Sequence, residues 1–291
     1  MTVMIPSLPA APLVDDIIDR ALHEDLAGGD LTTDSTVAPD RDARASFVAR
    51  SELVTCGMPI AQRVFERLDV KIEAKIEVAE GTVVPKGTSL LEVRGRARTL
   101  LAGERVALNL VQRMAGVATI TRKYVSAIPS GARTRIADTR KTTPGLRVLE
   151  RYAVRCGGGH NHRDMLGSAV LIKDNHLVAA GGVRPAIERA RAYAPHTSRI
   201  ECEVETIAQL HEALDAGADV LLLDNMDDAM VAESVRIVRA RPGGDRLFVE
   251  ASGGITLGRI PALAAAGVDV ISVGALTHSA PSADVALDLF V

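Results

Sequence analysis

The stretch IECEVETIAQLHEALDAGADVLLLDNM, residues 200–226, contains one complete strand–helix–strand unit. Segments 200–206 and 220–226 are short apolar runs, and residues 207–216 between them carry apolar side chains at helical spacing. Gly217 follows the helical run, as expected because glycine enters the left-handed C-terminal conformation without steric cost. The unit predicts two parallel strands joined by a helix.

Four further runs of the same kind lie in the C-terminal part of the chain: TRIADT (134–139), AVLIKDN (169–175), LFVEASGGI (247–255) and VDVISVGAL (268–276). Because the six runs read as apolar on both faces, helices are expected to cover both sides of a parallel sheet. A second helical pattern, 257–266, ends before Gly267. The pattern predicts an α/β fold, either a (β/α) barrel or a doubly wound sheet; a closed barrel would need two more strands.

The N-terminal part reads differently. Residues 15–25 look helical, and residues 43–49 and 71–93 alternate as antiparallel strands do. A helix over 99–114 is followed by Gly116, a reasonable domain boundary.

We therefore predict two domains. An N-terminal α+β domain spans 1–116. A barrel domain spans 117–291 and begins with a separate helix over 118–128, and its last helix packs back on the first domain.

Composition excludes several classes of protein. The chain has 291 residues, 47% hydrophobic and 24% charged, with a net charge of −3, which argues against disorder. Only 2% of residues are aromatic, so a nucleic-acid partner is not expected. Neither a signal peptide nor an apolar run of about 18 residues is found, and three cysteines form no CxxC pair. We expect a cytoplasmic protein without a membrane partner.

Polar residues and glycines follow every predicted strand. In parallel barrels the chemistry sits at these carboxyl ends. The residues found there are Thr139, Arg140, Lys141, Lys173, Glu203, Asp224, Ser252, Gly253, Gly254 and Gly274.

Residues 133–173 hold nine Lys or Arg and three acids, in a chain whose net charge is −3. Spacing of four explains some of these as one solvated helix face: Arg147, Arg151 and Arg155. It does not explain the others at strand or loop ends: Arg140, Lys141, Arg163 and Lys173. A concentrated cationic patch predicts a substrate with several negative charges, carboxylates or phosphates.

Two carboxylates and a glycine turn extend this prediction. Glu203 and Asp224 could hold Mg²⁺, sugar hydroxyls or a developing positive charge, or could simply pair with nearby cations. The Ser252–Gly254 turn and Gly274 offer backbone N–H groups to a phosphate.

Two competing interpretations use the same residues. His160 and His162 form an H-x-H pair typical of metal-dependent barrel hydrolases, but the neighbouring cations disfavour zinc. Lys173 at a strand end is also typical of a Schiff-base lyase, although nothing adjacent would lower its pKa.

The chain resembles the quinolinate phosphoribosyltransferase family. The matching stretches are ALHEDLAGGDLTT (21–33), GERVALNLVQRMAGVAT (103–119), DTRKTTPGLR (138–147), GGGHNHR (157–163), LIKDNH (171–176), ECEVET (201–206), LLLDNM (221–226), EASGGI (250–255) and VDVISVGALTHS (268–279). A molybdenum-transport-associated group of phosphoribosyltransferase-like proteins shares the scaffold and is the alternative. Met165 and Ser168 depart from the family pattern in the loop after Arg163.

The resemblance implies an open α/β barrel behind an N-terminal sandwich. It also implies transfer of phosphoribosyl from phosphoribosyl pyrophosphate to quinolinate with Mg²⁺, giving nicotinate mononucleotide, pyrophosphate and CO₂ for NAD synthesis.

The resemblance also implies residue roles. The quinolinate carboxylates are held by Arg140, His162, Arg163 and Lys173, and Lys141 lies near a carboxylate and the phosphates. Ribose and Mg²⁺ face Glu203 and Asp224. The catalytic set is Lys141, Lys173, Glu203 and Asp224.

The 5′-phosphate is cradled by Ser252, Gly253, Gly254 and Gly274. Thr139, Ala275 and Leu276 complete the substrate contacts. Arg105 enters the neighbouring subunit's site in a homodimer or a dimer-based hexamer, whereas its sequence context alone favours a solvated arginine.

Overall fold

The computed structural model describes residues 6–291. Its helices are α1 Ala11–Leu26, α2 Leu31–Thr36, α3 Met58–Leu68, α4 Ala97–Ser126, α5 Arg147–Cys156, α6 Asp174–Ala180, α7 Val183–Tyr193, α8 Ile207–Asp215, α9 Asp228–Ala240, α10 Ile260–Ala266 and α11 Ala275–His278. Its strands are β1 Asp42–Ala49, β2 Leu53–Val54, β3 Glu73–Ile76, β4 Val83–Val84, β5 Ser89–Arg96, β6 Arg135–Ala137, β7 Val170–Ile172, β8 Ile200–Val204, β9 Val220–Asp224, β10 Phe248–Ser252, β11 Val270–Ser272 and β12 Val285–Phe290. Short 3₁₀ turns occupy Gly244–Arg246 and Leu257–Arg259.

The chain divides into two compact units, each built from separate stretches of sequence. The first unit contains residues up to Arg122, Lys141–Gly159 and Ala275–Val291. The second contains Lys123–Arg140 and His160–Gly274. The candidate site residues are therefore distributed over both units, and each unit is described by itself.

An antiparallel sheet in the order β12–β1–β5–β3 forms the centre of the first unit. Strand β1 alternates as expected, with Ala45, Phe47 and Ala49 fully buried. Phe47 packs edge-on against Phe65 of α3, with ring centroids 6.1 Å apart. The N-terminal α+β prediction is confirmed in its essentials.

The last element of the chain is a strand, which the sequence analysis did not predict, and it follows the last helix, α11, within the first unit. Strand β12 pairs antiparallel with β1, and Leu289 lies opposite Ala45. The physical reason is visible in the sequence, since Val285, Leu287 and Leu289 recur at a spacing of two, which suits a strand.

The two helices predicted around Gly116 are in fact one helix, α4, of 30 residues. A Cβ atom at Gly116 would lie 2.0 Å from the carbonyl oxygen of Pro281. This glycine therefore permits close packing of two backbone segments within the first unit, and it does not end the helix.

A buried carboxylate fixes the start of α3. Glu80 is 7% exposed, and its oxygens accept hydrogen bonds from the N–H groups of Gly57, at 2.8 and 3.1 Å, and Met58, at 3.1 Å. The Tyr152 hydroxyl donates a third contact at 3.1 Å. Burial, together with the negative charge of Glu80, raises the pKa of Tyr152, so this hydroxyl remains a donor. Glu80 thus satisfies amides that the first turn of a helix leaves unpaired.

The second unit contains the six predicted strands as a parallel sheet in the order β6–β11–β10–β9–β8–β7. This order confirms the α/β class and the open barrel, and all five residues of β8 are buried. Helices α6 to α10 lie between successive strands in the sequence. Among residues 6–291, no helix has the length and apolarity needed to cross a membrane.

We expect Glu80→Ala to destabilise the protein by about 2–4 kcal/mol, because it leaves buried donors unpaired. Urea denaturation measures the loss, and Glu52→Ala, at an exposed glutamate, is the matched control. In Glu80→Ala, the amide hydrogens of Gly57 and Met58 should also exchange with solvent faster than in the native protein. Equal stability of the two variants would contradict this role.

Candidate active site

Charged side chains share one face of the parallel sheet. Strand register pairs Glu203 with Leu222, and Leu222 with Glu250, so these positions lie on the same face. Asp224 is paired in the same way with Ser252 at the carboxyl ends of β9 and β10. Glu201 lies two residues before Glu203 and shares its face. The sequence analysis expected both faces of this sheet to be apolar, and that expectation is wrong for the face that carries these acids.

Lys173, directly after β7, lies against the end of β8. Its ammonium forms an ion pair with Glu203, whose side chain is 5% exposed, against 46% for Lys173. The N–H of Asp174 approaches the other Glu203 oxygen at 3.4 Å. Lys173 thus sits in an ion pair, and this is not the apolar pocket that activates a Schiff-base lysine.

Asp138 holds the segment that carries the two histidines. This fully buried side chain accepts hydrogen bonds from Asn161 Nδ2 at 2.6 Å and from the N–H of His162 at 2.7 Å. His160 bridges to Ala137 of β6 through the main chain. Asp138 was not among the predicted site residues, although it directly follows β6, which is the first strand of the parallel sheet in the sequence.

The imidazole of His162 lies between two buried carboxylates. Its Nε2 is 3.4 Å from Glu201 Oε2 and 3.5 Å from Glu250 Oε2. Burial opposes the charged ring, but hydrogen bonds to both carboxylates outweigh it and raise the pKa of His162 to about 10. On the other edge of the ring, the Arg163 N–H lies 2.8 Å from Nδ1. The ring proton that faces the two carboxylates is the one on Nε2.

Glu201 and Glu250 themselves were missed by the sequence analysis. Burial raises the pKa of Glu201; the hydrogen bond from His162 opposes this shift, and the charge of Glu250 adds to it. One signal was available for Glu201, since residues i and i+2 of a strand share a face and Glu203 was already assigned. Glu250 offered the same signal, since it lies two residues before Ser252, which was also already assigned.

Arg163 lies next to Arg140 in this unit. Burial lowers the pKa of Arg163, and the positive charge of Arg140 acts in the same direction. Nη1 of Arg163 donates to the Ala169 carbonyl at 2.9 Å, whereas its buried Nε has no acceptor within residues 6–291. In the loop after Arg163, the divergent Ser168 donates to the carbonyl of Met165 at 2.9 Å and closes a local turn.

The Ser252–Gly254 turn packs against the end of β9. Gly253 has φ +77°, and a Cβ there would lie 2.2 Å from Oδ1 of Asn225. Asn225 is itself left-handed at φ 55°, and its N–H donates to the Ser252 carbonyl at 3.1 Å. Its Nδ2 donates to Asp224 at 2.6 Å. Asp224 and the glycine turn are therefore brought together, as predicted.

The remaining predicted residues of the second unit are Thr139, which follows β6, Gly254, with φ +56°, and Gly274, which follows β11. The first unit contains the others. Ala275 and Leu276 begin α11, and the carbonyl of Lys141 accepts a hydrogen bond from Thr277 Oγ1 at 2.7 Å. Arg105 is exposed on α4.

Arg113 and Glu150, both missed by the sequence analysis, fix the neighbourhood of Lys141. Two guanidinium nitrogens of Arg113 donate to Glu150 Oε1 at 2.9 and 2.7 Å, and Glu150 is fully buried. Glu150 also accepts from the N–H and hydroxyl of Thr143 at 3.0 and 2.7 Å. Arg113 donates to the carbonyl of Thr277 as well. The segments that hold Lys141 and Ala275 are thus tied to one buried ion pair.

Two groups of metal-ligating side chains occur among residues 6–291. One is His162, Glu201 and Glu250; the other is Cys56, Glu80 and Cys156 in the first unit. Neither contains His160, so the described part of the chain gives no support to an H-x-H zinc site.

Family models match both parts of the chain. The model for the N-terminal domain of quinolinate phosphoribosyl transferase matches residues 30–115, and that for the C-terminal domain matches residues 117–288. By fold and family, the chain is a phosphoribosyltransferase.

Similar proteins give the same result. A probable nicotinate-nucleotide pyrophosphorylase (carboxylating) of Bacillus subtilis is 44% identical over 94% of this chain and 92% of its own length. A human nicotinate-nucleotide pyrophosphorylase (carboxylating) is 38% identical over 100% of this chain and 95% of its own. A crystal structure of the Francisella tularensis enzyme of that name superposes with a TM-score of 0.90 at 37% identity, covering 100% of both chains. The chain belongs to the quinolinate phosphoribosyltransferase family and is an enzyme of NAD biosynthesis.

The contact between Gly253 and Asn225 generates a prediction about stability. We expect Gly253→Ala to lower the thermal unfolding midpoint by roughly 3–8 °C, because the new Cβ clashes at a positive φ. Gly258→Ala is the matched control, since a Cβ there meets nothing within 4 Å. Equal midpoints for the two variants, by differential scanning calorimetry, would refute the close approach.

Proposed function

We propose that this site holds the two carboxylates of quinolinate at the arginine pair and the phosphoribosyl group beside Glu203 and Asp224. The observation that carries the proposal is the state of Arg163. A half-buried guanidinium whose Nε is buried without a partner, next to a second guanidinium, favours an anion as its partner. A planar carboxylate suits an arginine because it accepts two parallel hydrogen bonds. Lys173 supplies a further cation to the same substrate, and His162, whose ring nitrogens face Glu201, Glu250 and the Arg163 N–H, lies beside it.

Phosphoribosyl pyrophosphate is the proposed second substrate. The 5′-phosphate accepts hydrogen bonds from the backbone of the Ser252–Gly254 turn and Gly274, where missing side chains let an anion approach. Thr139, Ala275 and Leu276 complete the contacts, and Lys141 approaches the pyrophosphate. Glu203 and Asp224 face the ribose and stabilise the positive charge that develops at C1 as pyrophosphate leaves.

The donor set fits Mg²⁺, which prefers carboxylate oxygens. One Glu203 oxygen already pairs with Lys173, so the proposal places the ion mainly on the substrate's phosphates, with Glu203 and Asp224 facing it. When bound, Mg²⁺ would neutralise negative charge on the leaving pyrophosphate.

The chemistry balances without a protein nucleophile. The ring nitrogen of quinolinate forms a bond to C1 as the C1–oxygen bond to pyrophosphate breaks. Departure of the adjacent carboxylate as CO₂ leaves an electron pair on the ring carbon, where the positive ring nitrogen stabilises it, and a proton then bonds to that carbon. The side chains therefore act by orientation and electrostatics.

We also propose a homodimer or a dimer-based hexamer in which Arg105 reaches the partner's site. Its exposure on α4 supports this. A cytoplasmic location is supported by three free cysteines, since reducing compartments keep thiols unpaired.

Mixing the protein with quinolinate, phosphoribosyl pyrophosphate and Mg²⁺ should release CO₂ and nicotinate mononucleotide. We expect Arg140→Ala and Lys173→Ala each to lower turnover by about 10³-fold or more, since each removes a charge from the substrate's surroundings. Arg236→Ala, at an exposed ion pair on α9, is the matched control and should keep full activity. Circular dichroism verifies that the variants fold.

Near-normal turnover in both variants would refute the assignment of the pocket. Removal of zinc with Mg²⁺ retained should leave activity intact, and inactivation would support a zinc enzyme instead. Irreversible loss of activity when the protein is treated with borohydride and a carbonyl substrate would support a Schiff-base lyase.

Donation of Arg105 is tested by mixing inactive subunits. Co-refolded Arg105→Ala and Lys173→Ala chains form hybrid dimers in which one of the two sites has both residues intact. Random pairing then predicts recovery of about one quarter of wild-type activity. No recovery, with hybrids verified by native mass spectrometry, would show that Arg105 acts within its own subunit or not at all.

A further inference from the structure

Glu201 and Glu250 have no role in the proposed reaction, yet both face the ring of His162. They are 7% and 4% exposed and belong to β8 and β10, which β9 separates in the sheet. Their Oε2 atoms lie 3.4 and 3.5 Å from His162 Nε2. The nearly equal distances place the single Nε2–H between the two carboxylates.

Burial of this pair of carboxylates is unfavourable and needs an explanation. An isolated buried carboxylate costs several kcal/mol, and two close together also repel. The Oε1 atoms of both lack a hydrogen-bond partner within residues 6–291. Apolar residues of similar size would pack there at lower cost, so a purely structural role is disfavoured.

The opposite edge of the ring contacts the backbone of the diacid site. Nδ1 of His162 accepts the Arg163 N–H at 2.8 Å, while the His162 N–H donates to Asp138. The ring is therefore a rigid link between central strands and the main chain at Arg163. Any rotation that frees Nε2 from the carboxylates also breaks the Arg163 contact.

We propose that Glu201 and Glu250 are positioning residues, which hold the His162 ring and, through it, aim Arg163 at the dicarboxylate substrate. The proposal rests on the proposed function of this site. Because the pair acts through His162, it governs the binding of quinolinate and leaves the ribose and phosphate contacts unchanged. Glu201 and Glu250 face the ring with their charged groups, whereas Asp138 and Arg163 contact His162 through main-chain N–H groups.

Steady-state kinetics of Glu201→Gln and Glu250→Gln test this split. We expect KM for quinolinate to rise about tenfold, with KM for phosphoribosyl pyrophosphate within about twofold and kcat within about threefold. Glu188→Gln, an exposed ion-pair residue on α7, is the matched control. The conservative Glu250→Asp keeps a carboxylate, so its rise in KM for quinolinate should be smaller than that of Glu250→Gln.

A double-mutant cycle identifies the route of action. If both glutamates act through the ring, Glu250→Gln adds nothing to the loss already caused by His162→Asn. Additive losses would overturn the proposal, as would equal rises in both KM values. Wild-type protein that fails to turn over quinolinate would instead refute the proposed function.

An NMR measurement that needs no turnover covers the case of poorly folding variants. In the full chain with ¹⁵N label, Glu250→Asp should shift the His162 ring nitrogens and the Arg163 amide, whereas Glu188→Gln should not. Unchanged resonances would overturn the proposal. Binding of Zn²⁺ or Mn²⁺ alone that Glu250→Gln abolishes would also overturn it, because these side chains would then be metal ligands.

Discussion

A carboxylate buried away from water must find donors or cations, and this requirement organises the candidate site. The desolvation cost is several kcal/mol for each ion, more than one ordinary hydrogen bond returns. In the second unit Glu203 is paired with Lys173, and Glu201 and Glu250 share the Nε2–H of His162. The partners come from the chain that follows β6 and β7, so the buried carboxylates fix loop residues at the carboxyl end of the sheet.

The first unit follows the same rule with different partners. Fully buried Glu150 accepts from Arg113 and Thr143, and the segment containing Lys141 is thereby held without depending on its exposed side chain. Glu80 is satisfied by helix amides and a tyrosine hydroxyl. Glu150 on α5 and Glu203 on β8 are buried acids on regular elements that hold loop residues, which suits a site whose catalysis depends on orientation.

The sequence was sufficient for whatever depends on local pattern. All six parallel strands were predictable because buried strands between helices read as short apolar runs, and the carboxyl-end rule then selected residues such as Lys173 and Asp224. The carboxyl-end rule passed over Glu201 and Glu250 because they lie inside β8 and β10, and only the folded sheet shows that both face His162. Gly116 was misread for a similar reason: a glycine that permits close backbone approach looks like one that ends a helix.

The proposed preference for a diacid rests on two neighbouring cations, Arg140 and Arg163. Arg140 and Arg163 repel each other in a partly desolvated setting, which is why the pKa of Arg163 is lowered by both burial and its neighbour. A monocarboxylate relieves this repulsion at one cation, while a dicarboxylate relieves it at both. Because the repulsion between the two guanidinium groups is present before the substrate arrives, the second carboxylate contributes more binding free energy than an additional contact in water would. The carboxylate that leaves as CO₂ is thus one that the site binds for recognition.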